Sequence, residues 1–455
     1  MSMVAVAALV ATACGGGSRD DEATGLDQDE PADASSGGNR DDACAGVELE
    51  ATEVGVSADA ITVTIMADTG SQAIPGMANG SVEAVQAWAD LVNEEGGLAC
   101  RQVEVRTYDS KLNPDESRNG YVDGCQSSFA MVGTYALSVV DASPLAQCDD
   151  RAGQPTGLPE VAAVNLNVLH YCNPTTYSWS GQGQPCPPVE GSREMTVSAE
   201  LGEYMSSVLG DDAHGVYLVA NTSPSVVAAS MPLVRALEDA GLAADVEAGA
   251  AGTDPQSHYT PFAATLADEQ SSFVYNTATF PSFLQFRREA ASQGDDSVEL
   301  WMCVSTCYDP AFVEAGGDLA VGTQVVLTNL PFEEADANEE LQTFVDRVET
   351  RNSFAIQSWI AARLFEAAVR QVVEAEGPNG LTRASLLTGL DTIEGFDADG
   401  LIGPTTPSEK VPAPCIVVVE ATADGFERVF PEAEGEFSCG DYTTVELDPT
   451  TAFRG

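Results

Sequence analysis

Twice along this chain, short β-branched runs alternate with helical periodicity, and that alternation limits the fold more than any other feature. Residues 61–66 (ITVTIM) have the composition of a buried strand. In the helix that follows, Val82, Val85, Ala89 and Val92 share one face, Ser81 is the expected cap, and Gly96-Gly97 ends the helix. Strands at 103–108, 129–133 and 161–165 then alternate with helices at 114–125 and 138–147. A βαβαβαβ series of this kind predicts a parallel, doubly wound sheet.

A stretch rich in Pro, Gly and Cys at 171–191 interrupts the series, which then restarts. Here the pattern predicts a helix at 194–209, a strand at 215–220, and a helix opened by Ser223-Pro224 that Pro232 should kink. Strands at 243–247, 273–276, 298–302 and 323–327 alternate with helices at 259–268 and 282–293. The clearest helix spans 357–376, with Ile360, Leu364, Ala368 and Val372 aligned, and 415–420 with 426–430 reads as a hairpin. The predicted fold class is therefore α/β, with two lobes sharing one chain.

Composition narrows the function. Of 455 residues, 44% are hydrophobic, enough to fill sizeable cores. Against 71 Asp and Glu stand only 19 Lys and Arg, for a net charge of −52. No basic run exists to displace counterions from phosphate or to hold anionic lipid headgroups, so nucleic acid is not an expected partner. Lys111 and Lys410 are the only lysines.

Residues 3–13 form an apolar run ending in Ala11-Thr12-Ala13-Cys14. It is shorter than the ~20 residues needed to span a bilayer, and matches a signal-peptide core. Small residues directly before a cysteine, with Gly15-Gly16-Gly17-Ser18 after it, resemble a bacterial lipoprotein cleavage site. The expectation is a signal peptide over 1–14, with Cys14 lipidated and anchoring the chain to the outer face of the membrane. Two departures stand out: no Lys or Arg precedes the run, and Ala11 replaces the more usual leucine. Residues 15–56 are rich in Gly, Ser, Asp and Glu and read as a disordered acidic tether.

Ten cysteines remain: 44, 100, 125, 148, 172, 186, 303, 307, 415 and 439. An even count fits up to five disulfides in an oxidising compartment, with Cys172–Cys186, Cys303–Cys307 and Cys415–Cys439 as plausible local pairs. A metal site is not expected, because Cys303-x3-Cys307 lacks a second close pair and the histidines at 170, 214 and 258 are scattered.

A family resemblance rests on ordered pieces after residue 56. Val56-Ser57-Ala58-Asp59-Ala60-Ile61-Thr62-Val63 leads through a helix to Asn93-Glu94-Glu95-Gly96-Gly97. Next come Arg101-Gln102-Val103-Glu104-Val105, then Asp109, Asn113-Pro114, and later Phe273-Val274-Tyr275 and Ser358-Trp359-Ile360-Ala361-Ala362-Arg363-Leu364. In this order they resemble type I periplasmic solute-binding proteins of ABC importers, in the branched-chain amino-acid or amide branch that includes leucine-binding proteins. The likeness covers roughly residues 56–430.

That resemblance implies two Rossmann-like lobes with parallel sheets joined by three hinge crossings. Lobe one would hold 57–189 and 327–389, and lobe two 190–324 and 390–455. A small polar metabolite would be caught in the cleft at the carboxyl ends of the strands and passed to a permease. The alternative is a sensor of the same fold that does not transport.

Loops after strands supply the candidate ligand-binding residues. These are Asp68, Thr69 and Ser71 after the first strand, Tyr135 and Ala136 after the third, and Asn165 after the fourth. The second lobe offers Asn221, then Asn276, Thr277 and Phe280, and finally Ser305 with Thr306. Hydroxyls and amides there can anchor polar atoms while Tyr135 and Phe280 cover apolar ones. Where the family often places an acid to meet a ligand ammonium, this chain has Ser305, which argues against an α-amino acid ligand unless Asp68 of the first lobe supplies that charge. Neither lysine falls on a predicted cleft loop, which disfavours a multiply anionic ligand.

Enzyme motifs are absent from the sequence. There is no G-x-S-x-G, H-E-x-x-H, G-x-x-x-x-G-K-[ST] or G-x-G-x-x-G after a strand. The expectation is a binding protein with no catalytic residues and no cofactor.

Overall fold

A computed structural model describes residues 44, 46–71, 75–183, 186, 193–210, 213–220 and 224–447. The first lobe is built on a five-stranded parallel sheet. Its strands are β1 (Ala60–Ala67), β2 (Gln102–Asp109), β3 (Ala130–Thr134), β4 (Glu160–Ala162) and β5 (Thr176–Tyr177), in the order β2-β1-β3-β4-β5. β1 and β3 are buried almost throughout, as expected of strands covered by helices on both faces.

The helix Asn79–Glu94 covers one face together with the returning helix Ser353–Glu376. The latter is buried on most of its circumference, so it runs through the lobe interior and not over its surface. Trp88 and Trp359 are fully buried between these elements. Their indole N–H groups donate to Glu366 Oε2 at 2.9 Å and Glu340 Oε1 at 2.6 Å, which satisfies the polar edge that burial would otherwise strand.

The second lobe continues with β6 (Arg193–Ser198), β7 (His214–Ala220), β8 (Ala243–Ala250), β9 (Phe273–Asn276), β10 (Leu300–Val304) and β11 (Thr323–Leu327). It is completed by β12 (Cys415–Ala421), β13 (Phe426–Phe430), β14 (Ser438–Cys439) and β15 (Tyr442–Leu447). The order β13-β12-β11-β10-β9-β7-β8 is parallel from β8 to β11, with β12 and β13 added antiparallel as the expected hairpin. The chain enters this lobe between Tyr177 and Arg193, leaves after Leu327 and re-enters before Cys415.

Several sequence expectations change. Residues 194–198 are strand, not helix: β6 pairs antiparallel with β15, a partner from the far end of the chain that no local pattern announces. The helix expected over 138–147 shrinks to Ser143–Ala146, because tertiary partners take the upstream backbone groups, including Leu137 N by Asp68 and Ala142 O by Asn173. Ser81 is not a cap; it lies inside its helix and donates to Phe354 O at 2.9 Å. Helix Pro224–Asp239 continues through Pro232.

Ala398, Leu401 and Ile402, expected in the second lobe, pack in the first-lobe core. Residues 46–56, expected as the end of the tether, are fixed to the body. Cys44 is disulfide-bonded to Cys100, Glu53 is buried and accepts from Arg151 N at 2.7 Å, and Val56 sits in the core. Cys14 and residues 1–43 lie outside the described residues.

The remaining disulfides are Cys125–Cys148, Cys172–Cys186, Cys303–Cys307 and Cys415–Cys439. With Cys303 and Cys307 joined to each other, their thiolates are not available as metal ligands.

Candidate functional site

Between the lobes lie two adjoining cavities of ≈ 530 and ≈ 430 Å³, whose walls share Met77, Leu112, Ala220, Thr279, Thr306 and Phe354. Every lining stretch of the second lobe follows the carboxyl end of a strand or belongs to the helix behind it. Ala220 ends β7, Ala250 ends β8, and Thr277 to Phe280 and Thr306 follow β9 and β10. In the first lobe, Tyr135 and Val164 follow β3 and β4, while Asn352 and Phe354 open the interior helix. Strands aligned in parallel end together, so their loops converge on one crevice.

Tyr135 lines the smaller cavity with its ring edge-on to Phe354, centroids 4.9 Å apart. Burial, with the nearby Asp68 charge, pushes its phenol well above the usual range, so it stays protonated. Thr277 lines the same cavity, and Phe280 lines the larger one.

Other candidates hold the walls in place without lining them. Asp68 is fully buried and accepts three hydrogen bonds, from Ser110 Oγ at 2.7 Å, Leu112 N at 2.6 Å and Leu137 N at 2.8 Å. Its carboxylate pins two lining residues, Leu112 and Leu137, and is not itself among the residues lining either cavity. Asn276 is likewise buried; its amide bonds Ala278 N and Ala278 O and shapes the loop that carries Thr277 and Phe280.

Ala136 packs in a satellite core with Tyr121 and Met131, away from the cleft. Asn165 is buried and its Oδ1 has no partner among the described residues, while its neighbours Val164 and Leu166 line the cavity instead. Thr69 and Ser71 are not among the lining residues; Thr69 N donates to Asp109 Oδ1 at 3.2 Å. Ser305 Oγ accepts a long hydrogen bond, 3.5 Å, from Gln357 Nε2 of the other lobe. Asn221 lies outside the described residues.

Met77, Leu112, Leu137, Leu233 and Phe354 are lining residues that sequence reasoning missed, because a search for polar loop residues passes over apolar ones. Asn352, also missed, had a legible signal as an Asn immediately before a long apolar helix; its Oδ1 accepts from Ala355 N.

A row of aromatic contacts runs beside the cleft. Tyr308 of the second lobe stacks on Phe332 at 4.8 Å, Phe332 stacks on Phe344 at 5.6 Å, and Phe344 meets Trp359 edge-on at 5.6 Å. This aromatic row passes from one lobe to the other through the segment after β11.

The sequence matches a family model described as "Periplasmic binding protein" over residues 64–426. A search of curated proteins returns no match. Among solved structures, a leucine-binding protein from Thermotoga maritima superposes with a TM-score of 0.63 at 14% identity, covering 86% of this chain and 99% of that one. A fatty acid ABC transporter substrate-binding protein from Thermomonospora curvata gives 0.63 at 16%, over 84% and 94%. An ABC transporter substrate-binding protein from Sphaerobacter thermophilus gives 0.62 at 16%, over 85% and 98%. At these identities the structural likeness speaks to the fold.

Proposed function

Since the chain belongs to the periplasmic binding protein family, we propose that it is the extracytoplasmic receptor of an ABC importer, capturing a small molecule between its lobes and presenting it to a permease. The observation that carries this reading is the pair of adjoining cavities walled by both lobes at the carboxyl ends of their strands. A ligand touching both walls stabilises the form in which they are close, so binding energy becomes a change of shape that a membrane partner can read.

The family consists of binding proteins and not enzymes, and this reading assigns the chain no chemistry on its ligand. Five disulfides support an oxidising location. Lipidation at Cys14 would hold the receptor at the membrane face, with the acidic segment up to Cys44 as its leash.

The test is small-angle scattering combined with thermal denaturation across a metabolite library. A true ligand shrinks the radius of gyration and raises Tm, by linkage with the folded state alone. A library spanning amino acids, amides, acids, alcohols and sugars that moves neither quantity would reject the receptor reading.

A further inference from the structure

The cleft wall is unusual in charge. Of the described residues lining either cavity, Asp309 alone is ionisable to a charge near neutral pH, and both of its oxygens are engaged. Oδ1 accepts from Ala311 N at 2.8 Å and Oδ2 from Asn352 Nδ2 at 3.3 Å.

Both lysines are directed elsewhere. Lys111 Nζ pairs with Glu116 at 3.2 Å, and Lys410 Nζ donates to the carbonyls of Tyr171 and Asn173. Residues 72–74, 184–185, 187–192 and 221–223, outside the described residues, contain no Lys, Arg or His.

The hydroxyls are also largely committed. Thr306 Oγ1 donates to Ala278 O at 2.9 Å, and Thr277 Oγ1 accepts from Ser230 Oγ at 3.1 Å and donates to Leu218 O at 3.3 Å. What they keep are lone pairs, which suit a ligand that donates. Most of the remaining wall is aliphatic or aromatic, as at Met77, Leu112, Leu233, Phe280 and Phe354, and its other polar side chains, such as Thr253, Thr279, Ser180 and Gln182, carry no charge.

We propose that this cleft selects a neutral molecule with an extended apolar body and a hydroxyl or amide donor, and discriminates against zwitterions and ionised acids or amines. The proposal rests on the receptor reading and narrows its ligand class. An ionised acid entering the cleft gives up hydration with no cation among the described lining residues to meet it, and an ionised amine finds only the Asp309 carboxylate, whose two oxygens already accept hydrogen bonds, whereas an apolar body gains from the same burial. The overall charge of −52 adds repulsion against anions.

The test uses the full chain at neutral pH and the apolar fluorophore N-phenyl-1-naphthylamine as reporter. Competitors are octan-1-ol, octanamide, octanoate and octylammonium, which share one hydrocarbon skeleton, with L-leucine as the zwitterion. Octan-1-ol and octanamide should displace the reporter at least about tenfold more effectively than any ionised competitor. Leu166→Arg, which adds a cation to the wall, should reverse the order of octan-1-ol and octanoate.

An ionised competitor binding as well as the neutral ones, with lobe closure in scattering, overturns the ligand class and leaves the receptor reading intact. An unchanged order in Leu166→Arg places binding away from this cleft and overturns the proposal. Failure of the reporter and every competitor to bind overturns the ligand class, while the receptor reading falls only if the wider metabolite library also leaves radius of gyration and Tm unmoved.

Discussion

Asn352, in the first lobe, donates from Nδ2 to Oδ2 of Asp309 in the second, at 3.3 Å across the mouth of the cleft. Each residue also caps a helix in its own lobe, Asn352 through Ala355 N and Asp309 through Ala311 N. The bridge therefore joins two helix starts that are already fixed, and the longer Gln357–Ser305 contact lies beside it.

Asn352→Ser keeps an oxygen for the cap but is too short to span the cleft. Lobe separation should shift toward open forms, seen as a larger radius of gyration without ligand, while global stability falls by less than about 1 kcal/mol. An unchanged radius would deny the bridge any role in holding the lobes.

Phe354 covers part of both cavities and meets Tyr135 edge-on. Truncation by Phe354→Ala should weaken N-phenyl-1-naphthylamine binding about tenfold, from lost apolar contact and the lost ring pair. Titration of the fluorophore against wild type and variant reads this directly.

Arg101 is almost wholly buried and donates five hydrogen bonds. They go to the carbonyls of Ser57, Ala99, Pro378 and Glu50 and to Asn379 Oδ1, tying the N-terminal strap to the first lobe. Arg101→Met strands those acceptors and should cost about 3 kcal/mol. Urea denaturation should show a lower midpoint with an unchanged slope; no loss of midpoint would contradict the accounting.

Acid sensitivity should centre on Glu160. Burial alone would raise its carboxyl, but interaction with the His170 ring at 2.8 Å and the Thr176 hydroxyl at 2.8 Å outweigh burial and hold it below the ordinary carboxylate range. As pH falls, the unfolded chain takes up this proton first. The stabilisation is therefore present above the unfolded carboxyl value and is lost as pH falls through the folded one. Glu160→Gln should flatten the acid limb of the Tm–pH curve and lower stability at neutral pH by about 2 kcal/mol.

Cys14→Ser should release the protein from the membrane fraction into the soluble one. Unchanged fractionation would remove the lipid anchor from the proposed function.

Much of the architecture was legible because its signals are local. β1 reads as a buried strand from ITVTIM, and Ser353–Glu376 as a helix from its period and its closing Gly377. β6 was not legible, since its identity depends on β15 at the other end of the chain. Nor was the reach of the tether: Cys44 hinted at a partner, yet only the folded body shows Cys100 and Arg101 waiting for it.

The site divides in the same way. Periodicity and loop position brought Tyr135, Thr277 and Phe280 into consideration, and composition alone set the shortage of cations. Which way each loop side chain points was decided by tertiary structure: Asp68 turns inward to the Ser110 hydroxyl and to two backbone N–H groups from two loops, and Asn276 folds back on Ala278. Strand and helix periods are properties of neighbouring residues, so they survive in the sequence. A cleft wall is made of residues distant in sequence, and its polarity is known only once packing has chosen which side chains face the void.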